Sequence, residues 1–226
     1  MRALLLPVKR IENAKQRLAP LLAPAARQAL MTAMMTDLFA AARAATAPDR
    51  IFVVTADPTA AALATTFGWT VLHETTQTSE TASVDAASRH CETLGITTLL
   101  RLPLDLPLVT AADIDAVFAA APDKPGTVLV PSRDGTGTNA ILRSPPTLFP
   151  SHFGPDSYVK HLAEAGHTNA TIIHLRNPRI EMDVDDEADL AALRTHAPIG
   201  GATGAWLERH KHAAGGTPAT GTCFRV

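Results

Sequence analysis

Apolar runs and helical repeats alternate along this chain. Ala3–Val8 (ALLLPV) predicts a strand buried on both faces, followed by a basic loop. From about Pro24 to Thr46, Leu30, Met34 and Leu38 recur every fourth residue with Met31, Met35 and Phe39 beside them, which is the stripe of one helix face. Further strands are expected over Arg50–Thr55, Thr70–His73, Thr97–Leu102, Thr127–Pro131 and Ala140–Arg143, with extended segments over Thr171–Leu175 and Ile180–Asp183. Between them, Pro58–Phe67, Thr81–Leu94, Ala111–Ala120, Ser157–Ala165 and Glu187–Arg194 read as helices. Strands alternating with helices of this length make βαβ units. The pattern predicts an α/β fold of three layers, with a mostly parallel sheet covered on both faces and ligands outside the carboxyl ends of its strands.

The pattern covers residues 1–197, one domain's worth of chain. Residues 198–226 turn rich in Gly, Ala and Thr and read as a tail with at most one helical turn, partly disordered, with Trp206 as the residue that could dock it. Hydrophobic residues are 46% of the 226 and charged ones 19%, an ordinary globular balance. A formal net charge of −2 leaves no general polyanion footprint, so any anion site must be local. The opening apolar run is too short for a secretory leader, and no run reaches the roughly 18 residues of a membrane span. A cytosolic protein is expected, with Cys91 and Cys223 as reduced thiols. No HExxH, HxxxH or GxSxG spacing points to zinc or to a serine nucleophile.

Three constellations carry candidate chemistry. PVKRIENAKQRLAP places Lys9, Arg10, Lys15 and Arg17 in one loop directly after the first strand, either a phosphate clamp or a solvated basic loop. LLRLPLDLPLVT ends a buried strand on Asp105, and no residue close in sequence is expected to neutralise it. MDVDDEADL adds Asp183 and Asp185, which an extended chain would point to one side. Asp105 with Asp183 or Asp185 would make a two-carboxylate seat for Mg²⁺, an ion that keeps several waters and bridges substrate phosphates. The alternative for Asp185 or Asp186 is a helix cap, and Asp57 reads as one. SRDGTGTNAILR offers Gly135 and Gly137, whose N–H groups could converge on an anion, with Thr136, Thr138 and Asn139 as side-chain donors. A plain hairpin turn is the alternative. FGPDSYVKH sets Gly154 and Ser157 before a helix N-terminus, another place for a phosphate or carboxylate.

Taken in this order, the five motifs PVKRIENAKQRLAP, LRLPLDLPL, PSRDGTGTNAIL, HFGPDSYVKH and MDVDDEADL resemble the guanylyltransferases that make the phospho-acid half of coenzyme F-420. That family includes enzymes for 2-phospho-L-lactate, phosphoenolpyruvate and 3-phospho-D-glycerate. The resemblance spans about residues 1–197. It implies a molybdenum-cofactor guanylyltransferase-like, GT-A-like nucleotidyltransferase fold that uses GTP and Mg²⁺, and a product passed to a downstream deazaflavin transferase. It also implies that Lys9, Lys15 and Arg17 hold the GTP phosphates, that Asp105 with Asp183 or Asp185 holds the metal, and that Thr138, Gly154 and Ser157 surround the phospho-acid. Gly137 and Asn139 belong to the same substrate loop. Where the family carries a Leu-Asn pair in the third helix this chain has Val84-Asp85, and Asp85 is expected to accept from guanine N1–H and N2–H₂. His90 and Cys91, if their helix faces the cleft, would supply polarity for a substrate hydroxyl and tilt the choice towards 3-phospho-D-glycerate. Exposed Met and Ala helix faces suggest a homodimer. The competing readings are a related nucleotidyl- or glycosyltransferase with another acceptor, and a GTP-binding domain without turnover.

Overall fold

The computed structural model describes residues 1–211 except 77, 124 and 197. Seven strands form one sheet: β1 (Arg2–Val8), β2 (Arg50–Thr55), β3 (Thr70–His73), β4 (Thr98–Arg101), β5 (Gly126–Pro131), β6 (Thr138–Ser144) and β7 (Thr171–His174), in the spatial order β3-β2-β1-β4-β6-β5-β7. All neighbouring pairs are parallel except those made by β6, which runs antiparallel to both β4 and β5. The predicted mixed, mostly parallel sheet is the observed one. The central strands are apolar on both sides because both sides are covered. Leu4, Leu6, Val8 and Val53 enter the larger core, while Ala3, Leu5, Phe52 and Val54 enter a second one across the sheet.

The larger core packs under α1 (Pro24–Ala44), whose Leu30, Met34, Met35, Leu38 and Phe39 are buried. The methionine face that suggested a dimer is therefore spent on the chain's own core. Asp57 caps α2 (Pro58–Thr66) as expected, accepting from the N–H groups of Thr59 and Ala60. The opposite layer carries α3 (Glu80–Thr93), which buries Val84, Ala87 and Cys91. A capping box of Thr110 and Asp113 starts α4 (Ala111–Ala119). Near the edge of the sheet lies α5 (Ser157–Gly166). Two elements differ from expectation. Residues 178–181 are not extended but form one turn of helix, α6 (Pro178–Glu181), started by Pro178 and capped by Asn177. After α7 (Glu187–Thr195), the supposed tail folds as α8 (Gly201–Arg209), longer than the single turn expected. Residues 212–226 lie outside the described residues.

The glycines and alanines of α8 explain why its pattern was misread: they are contact residues, not spacers. Asp37 of α1 caps α8 by accepting from the N–H groups of Ala202 and Thr203, both at 2.7 Å. A Cβ on Gly201 would stand 2.3 Å from Asp37 Oδ1, so only glycine admits this approach. Trp206 is 1% exposed and its ring stacks on His210 at 4.1 Å. Removing so large a buried side chain typically costs about 3–5 kcal/mol, and losing a cap about 1 kcal/mol. Trp206→Ala is therefore expected to lower the unfolding free energy by about 3–5 kcal/mol and Asp37→Ala by about 1 kcal/mol, measured by denaturant titration. A Trp206→Ala protein as stable as wild type would show that α8 is not docked.

Candidate active site

The acidic wall of the site is built where β4 ends. Pro103 and Pro107 bracket the turn that carries Asp105, and the backbone carbonyl of Asp105 accepts from Val184 N–H at 3.1 Å. That bond aligns residues 183–185 beside the turn. Val184 goes into the core, while Asp183 and Asp185 face the same cleft, as period-two spacing predicts. Asn139 fixes this segment, donating from Nδ2 to the carbonyls of Ile180 and Glu181 and to Asp183 Oδ1 at 3.1 Å. Asp186 is the N-cap of α7, closing a capping box with Asp189 and leaving Asp185 free of that duty.

Asp105 is not without counter-charge: Lys15 pairs with it directly, and Arg101, four residues away in sequence and unforeseen there, adds a second positive charge. Lys15 Nζ lies 2.7 Å from both Asp105 Oδ2 and Asp185 Oδ1, and its side chain is 6% exposed. Lys15 thus joins the acidic wall, with its Nζ held by two carboxylates. Its backbone is left-handed, at φ 53°, a conformation that costs a non-glycine residue on the order of 1 kcal/mol and is held here by two ion pairs. Burial opposes the ammonium charge, but the two carboxylates hold the Lys15 pKa above its ordinary value. In turn Asp105 is desolvated, yet Lys15 and then Arg101 keep its pKa low. Asp183 behaves oppositely: burial, then the charge of Asp105, push it up to about 6. Oδ1 of Asp105 is buried without a hydrogen-bond partner among the described residues.

Two adjoining lobes open from this wall, about 780 and 870 Å³ in volume. Lys9, Arg17, Glu80, Asp105 and Asp185 line both. Lys15 belongs to the first lobe, beside residues 14–17, Thr75 and Thr76. The loop bearing these cations is anchored by Asp57 Oδ2, which accepts from Ile11 N–H at 3.1 Å. Lys9 pairs with Glu80 at 3.3 Å, and Glu80 also contacts the buried guanidinium of Arg101. Arg10 pairs loosely with Glu12 on the surface, Nη1 to Oε1 3.7 Å.

Gly137, Thr138, Asn139, Gly154 and Ser157 all line the second lobe. The glycine N–H groups, however, do not converge on an open anion site. Gly135 N–H donates to the Ser132 carbonyl and Gly137 N–H to Ser132 Oγ at 2.7 Å, while Asp134 accepts from Thr136 N–H and both nearby hydroxyls. The loop is a self-satisfied turn, and the lobe is met instead by Thr138, a buried residue at the start of β6. His161 Nε2 accepts from His152 N–H at 2.8 Å, which leaves Nδ1 protonated to donate to Thr138 Oγ at 2.9 Å. Ser157 Oγ also donates to Thr138 Oγ, at 3.3 Å. With both acceptor positions used, the Thr138 hydroxyl proton remains to be donated into the lobe. Burial, then Arg143 and Arg101, lower the His161 pKa to about 3, so this relay stays neutral.

Three expected roles are not met by the geometry. Asp85 lines neither lobe: its carboxylate accepts from Ser151 N–H at 3.1 Å and faces Arg143 at 3.7 Å, so it anchors a loop to α3. Cys91 is fully buried in the second core, with its thiol pushed up to about 11 by desolvation, and His90 is exposed at the end of α3. Neither lines the cleft, which removes the basis for favouring a hydroxylated acceptor. Conversely, Glu80, Arg101 and His161 were missed. A charge inside the apolar run LLRL, and a histidine one helical turn after Ser157, were the signals that could have revealed two of them.

The acids fit a divalent ion of magnesium type. Among the described residues no group of three or more His, Cys, Asp or Glu side chains is placed to hold a metal alone. Mg²⁺ needs only one or two carboxylates with water and phosphate completing its shell, and Asp105, whose buried Oδ1 has no hydrogen-bond partner among the described residues, together with Asp183, whose pKa its charge helps to raise, would offer that pair.

A family model described as guanylyl transferase CofC like matches residues 1–208, a span that runs into α8. A curated phosphoenolpyruvate guanylyltransferase of Conexibacter woesei is 37% identical over 195 residues, 84% of this chain and 86% of that protein. Another of the same name, from Chloroflexus aggregans, is 38% identical over 189 residues, covering 82% and 93%. Among solved structures, a protein of Desulfovibrio desulfuricans assigned as a nucleotide-diphospho-sugar transferase superposes with a TM-score of 0.74 at 16% identity, over 94% of this chain and 96% of that one. A nucleotidyl transferase of Methanothermobacter gives 0.61 at 15% identity, over 87% and 97%. The two structures support the fold alone. Among the described residues, no helix is long and apolar enough to cross a membrane.

The His161 relay has a pH consequence. In the unfolded chain this imidazole takes up a proton near pH 6.5, whereas the folded protein resists until about 3. The unfolded state thus binds more protons between those values, and the stability that neutral His161 contributes is present above 6.5 and lost as pH falls. The stability advantage of wild type over His161→Gln should shrink on acidification through this window, measured by denaturant titration at several pH values. A difference that does not vary with pH would show that His161 is not held neutral.

Proposed function

The chain belongs to the CofC-like guanylyltransferase family, and from that premise we propose that it transfers GMP from GTP to the phosphate of a three-carbon phospho-acid, phosphoenolpyruvate foremost, with Mg²⁺ as cofactor. The observation that carries this reading is the meeting of Asp105, Asp183 and Asp185 with Lys9 and Arg17 in one two-lobed cleft. The curated relatives reported above are both named for phosphoenolpyruvate, and His90 and Cys91, the residues expected to favour 3-phospho-D-glycerate, line neither lobe.

The first lobe, between residues 14–17 and Thr75–Thr76, takes the nucleotide, with Lys9 and Arg17 against its phosphates. The second takes the acceptor, with the Thr138 hydroxyl donating to it and Ser157 and Gly154 at its rim. An acceptor phosphate oxygen attacks the α-phosphorus, the bond from that phosphorus to the β-bridging oxygen breaks, and pyrophosphate leaves. The acceptor is already an anion near neutral pH, so no side chain has to remove a proton. The obstacle is repulsion: two unit charges 4 Å apart repel by about 4 kcal/mol at an effective dielectric of 20. Lys9 and Arg17 offset this repulsion from the shared wall of the lobes. Mg²⁺ held by Asp105 and Asp183 would neutralise phosphate charge as it develops. Asn139 keeps Asp183 in place, and Lys15 keeps Asp105 ionised. The product would pass to a deazaflavin transferase.

Incubation with GTP, Mg²⁺ and each phospho-acid in turn, following pyrophosphate, should give release with phosphoenolpyruvate above the others. No release with any of them would overturn the reading. Asp105→Asn should keep the fold but lose about 10²–10³-fold in rate, the size typical of a key electrostatic group. A near-wild-type rate would remove Asp105 from the site.

A further inference from the structure

Arg101 is the last residue of β4 and has an unusual standing. Its side chain is 5% exposed, yet it lines the second lobe and not the first. Nη1 donates to the Thr138 carbonyl at 3.2 Å, and Nη2 contacts Glu80. Among the described residues, its buried Nε has no hydrogen-bond partner. Phe153 covers one face of the guanidinium at 4.1 Å, so what the group can offer a ligand is its edge. An idle donor on a desolvated cation is costly unless something binds it. The carboxylate that it contacts is not its own either, because Glu80 is shared with Lys9.

The acceptor class proposed above carries two anionic groups. Its phosphate must lie by the acidic wall to react, which leaves its carboxylate elsewhere in the second lobe, in need of a cation. Lys9 and Arg17 face both lobes and serve the nucleotide. Arg133 lines the acceptor lobe but is half exposed and already paired with Asp189 at 2.7 Å. Arg101 remains. We propose that Arg101 binds the acceptor's carboxylate and so sets acceptor specificity, with Glu80 standing in for that carboxylate until the acceptor displaces it. The planar fork suits a carboxylate where an ammonium would not. Desolvation also lowers the Arg101 pKa to about 9, against the opposing charges of Asp105 and Asp183.

This inference rests on the acceptor reading, and calorimetry separates the two. Phosphoenolpyruvate and vinyl phosphate, which is the same molecule without its carboxylate, are titrated into the protein holding Mg²⁺ and α,β-methylene GTP. Arg101→Gln should weaken phosphoenolpyruvate roughly 10- to 100-fold, the range for charge-assisted hydrogen bonds, and leave vinyl phosphate and the nucleotide analogue unchanged. Glu80→Gln should tighten phosphoenolpyruvate by removing the competing anion. Equal losses for both acceptors, no loss, or a weakening in Glu80→Gln would make Arg101 a structural residue and overturn the inference while the acceptor reading stands. Wild-type protein that binds neither acceptor overturns the acceptor reading, and this inference with it. Should Arg101→Gln fail to fold, Arg101→Lys, which keeps the charge and loses the fork, carries the same comparison and is expected to show a smaller loss for phosphoenolpyruvate alone.

Discussion

A single buried ammonium holds the cleft in shape. Lys15 comes from the loop after β1, Asp105 from the turn after β4 and Asp185 from the segment before α7, and the three meet at 2.7 Å. Taking such charges out of water is expensive, and only close pairing compensates. The loop therefore closes inward, and the left-handed backbone at Lys15 is accepted as part of that closure. Everything else in the cleft is arranged around this tie. Asp105 stays ionised because of it, Asp183 is pushed the other way by the charge of Asp105, and Lys9 and Arg17 are left on the open side.

The same logic appears with opposite sign at Glu80. Its carboxylate lies between Lys9 and Arg101, on the wall common to both lobes. The resting cleft is thus compensated from within, by an ammonium among acids and a carboxylate among cations. Substrate ions would then exchange with internal partners. Such exchange suits a site that must admit several phosphates without lying bare to water when empty.

Most of the framework was legible because it obeys local rules. Buried strands read as apolar runs, Asp57 and Asp186 sit where helices begin, and the period-two spacing of Asp183 and Asp185 put both on one side. What could not be read depends on contacts between distant segments. Nothing near Asp105 in sequence announces Lys15, ninety residues away. Asp85 looked like a base-reading acid, but its environment is set by Arg143 and the Ser151 backbone, which only the fold brings to it. The N–H groups of Gly135 and Gly137 both donate to Ser132, which spacing alone cannot reveal. Composition misled at α8, because small residues that permit close helix contact look the same as those that mark a loose tail.

Asp57 shows how the site reaches beyond its own lining. One of its oxygens starts α2, and the other holds Ile11 in the loop that carries the cations. At an ordinary helix start, Ser, Thr, Asn and Asp exchange at little cost. Here that freedom is gone, since serine, threonine or asparagine brings a single side-chain acceptor oxygen to a position that serves two elements. Drift at residue 57 is thereby confined, although the residue never meets a substrate.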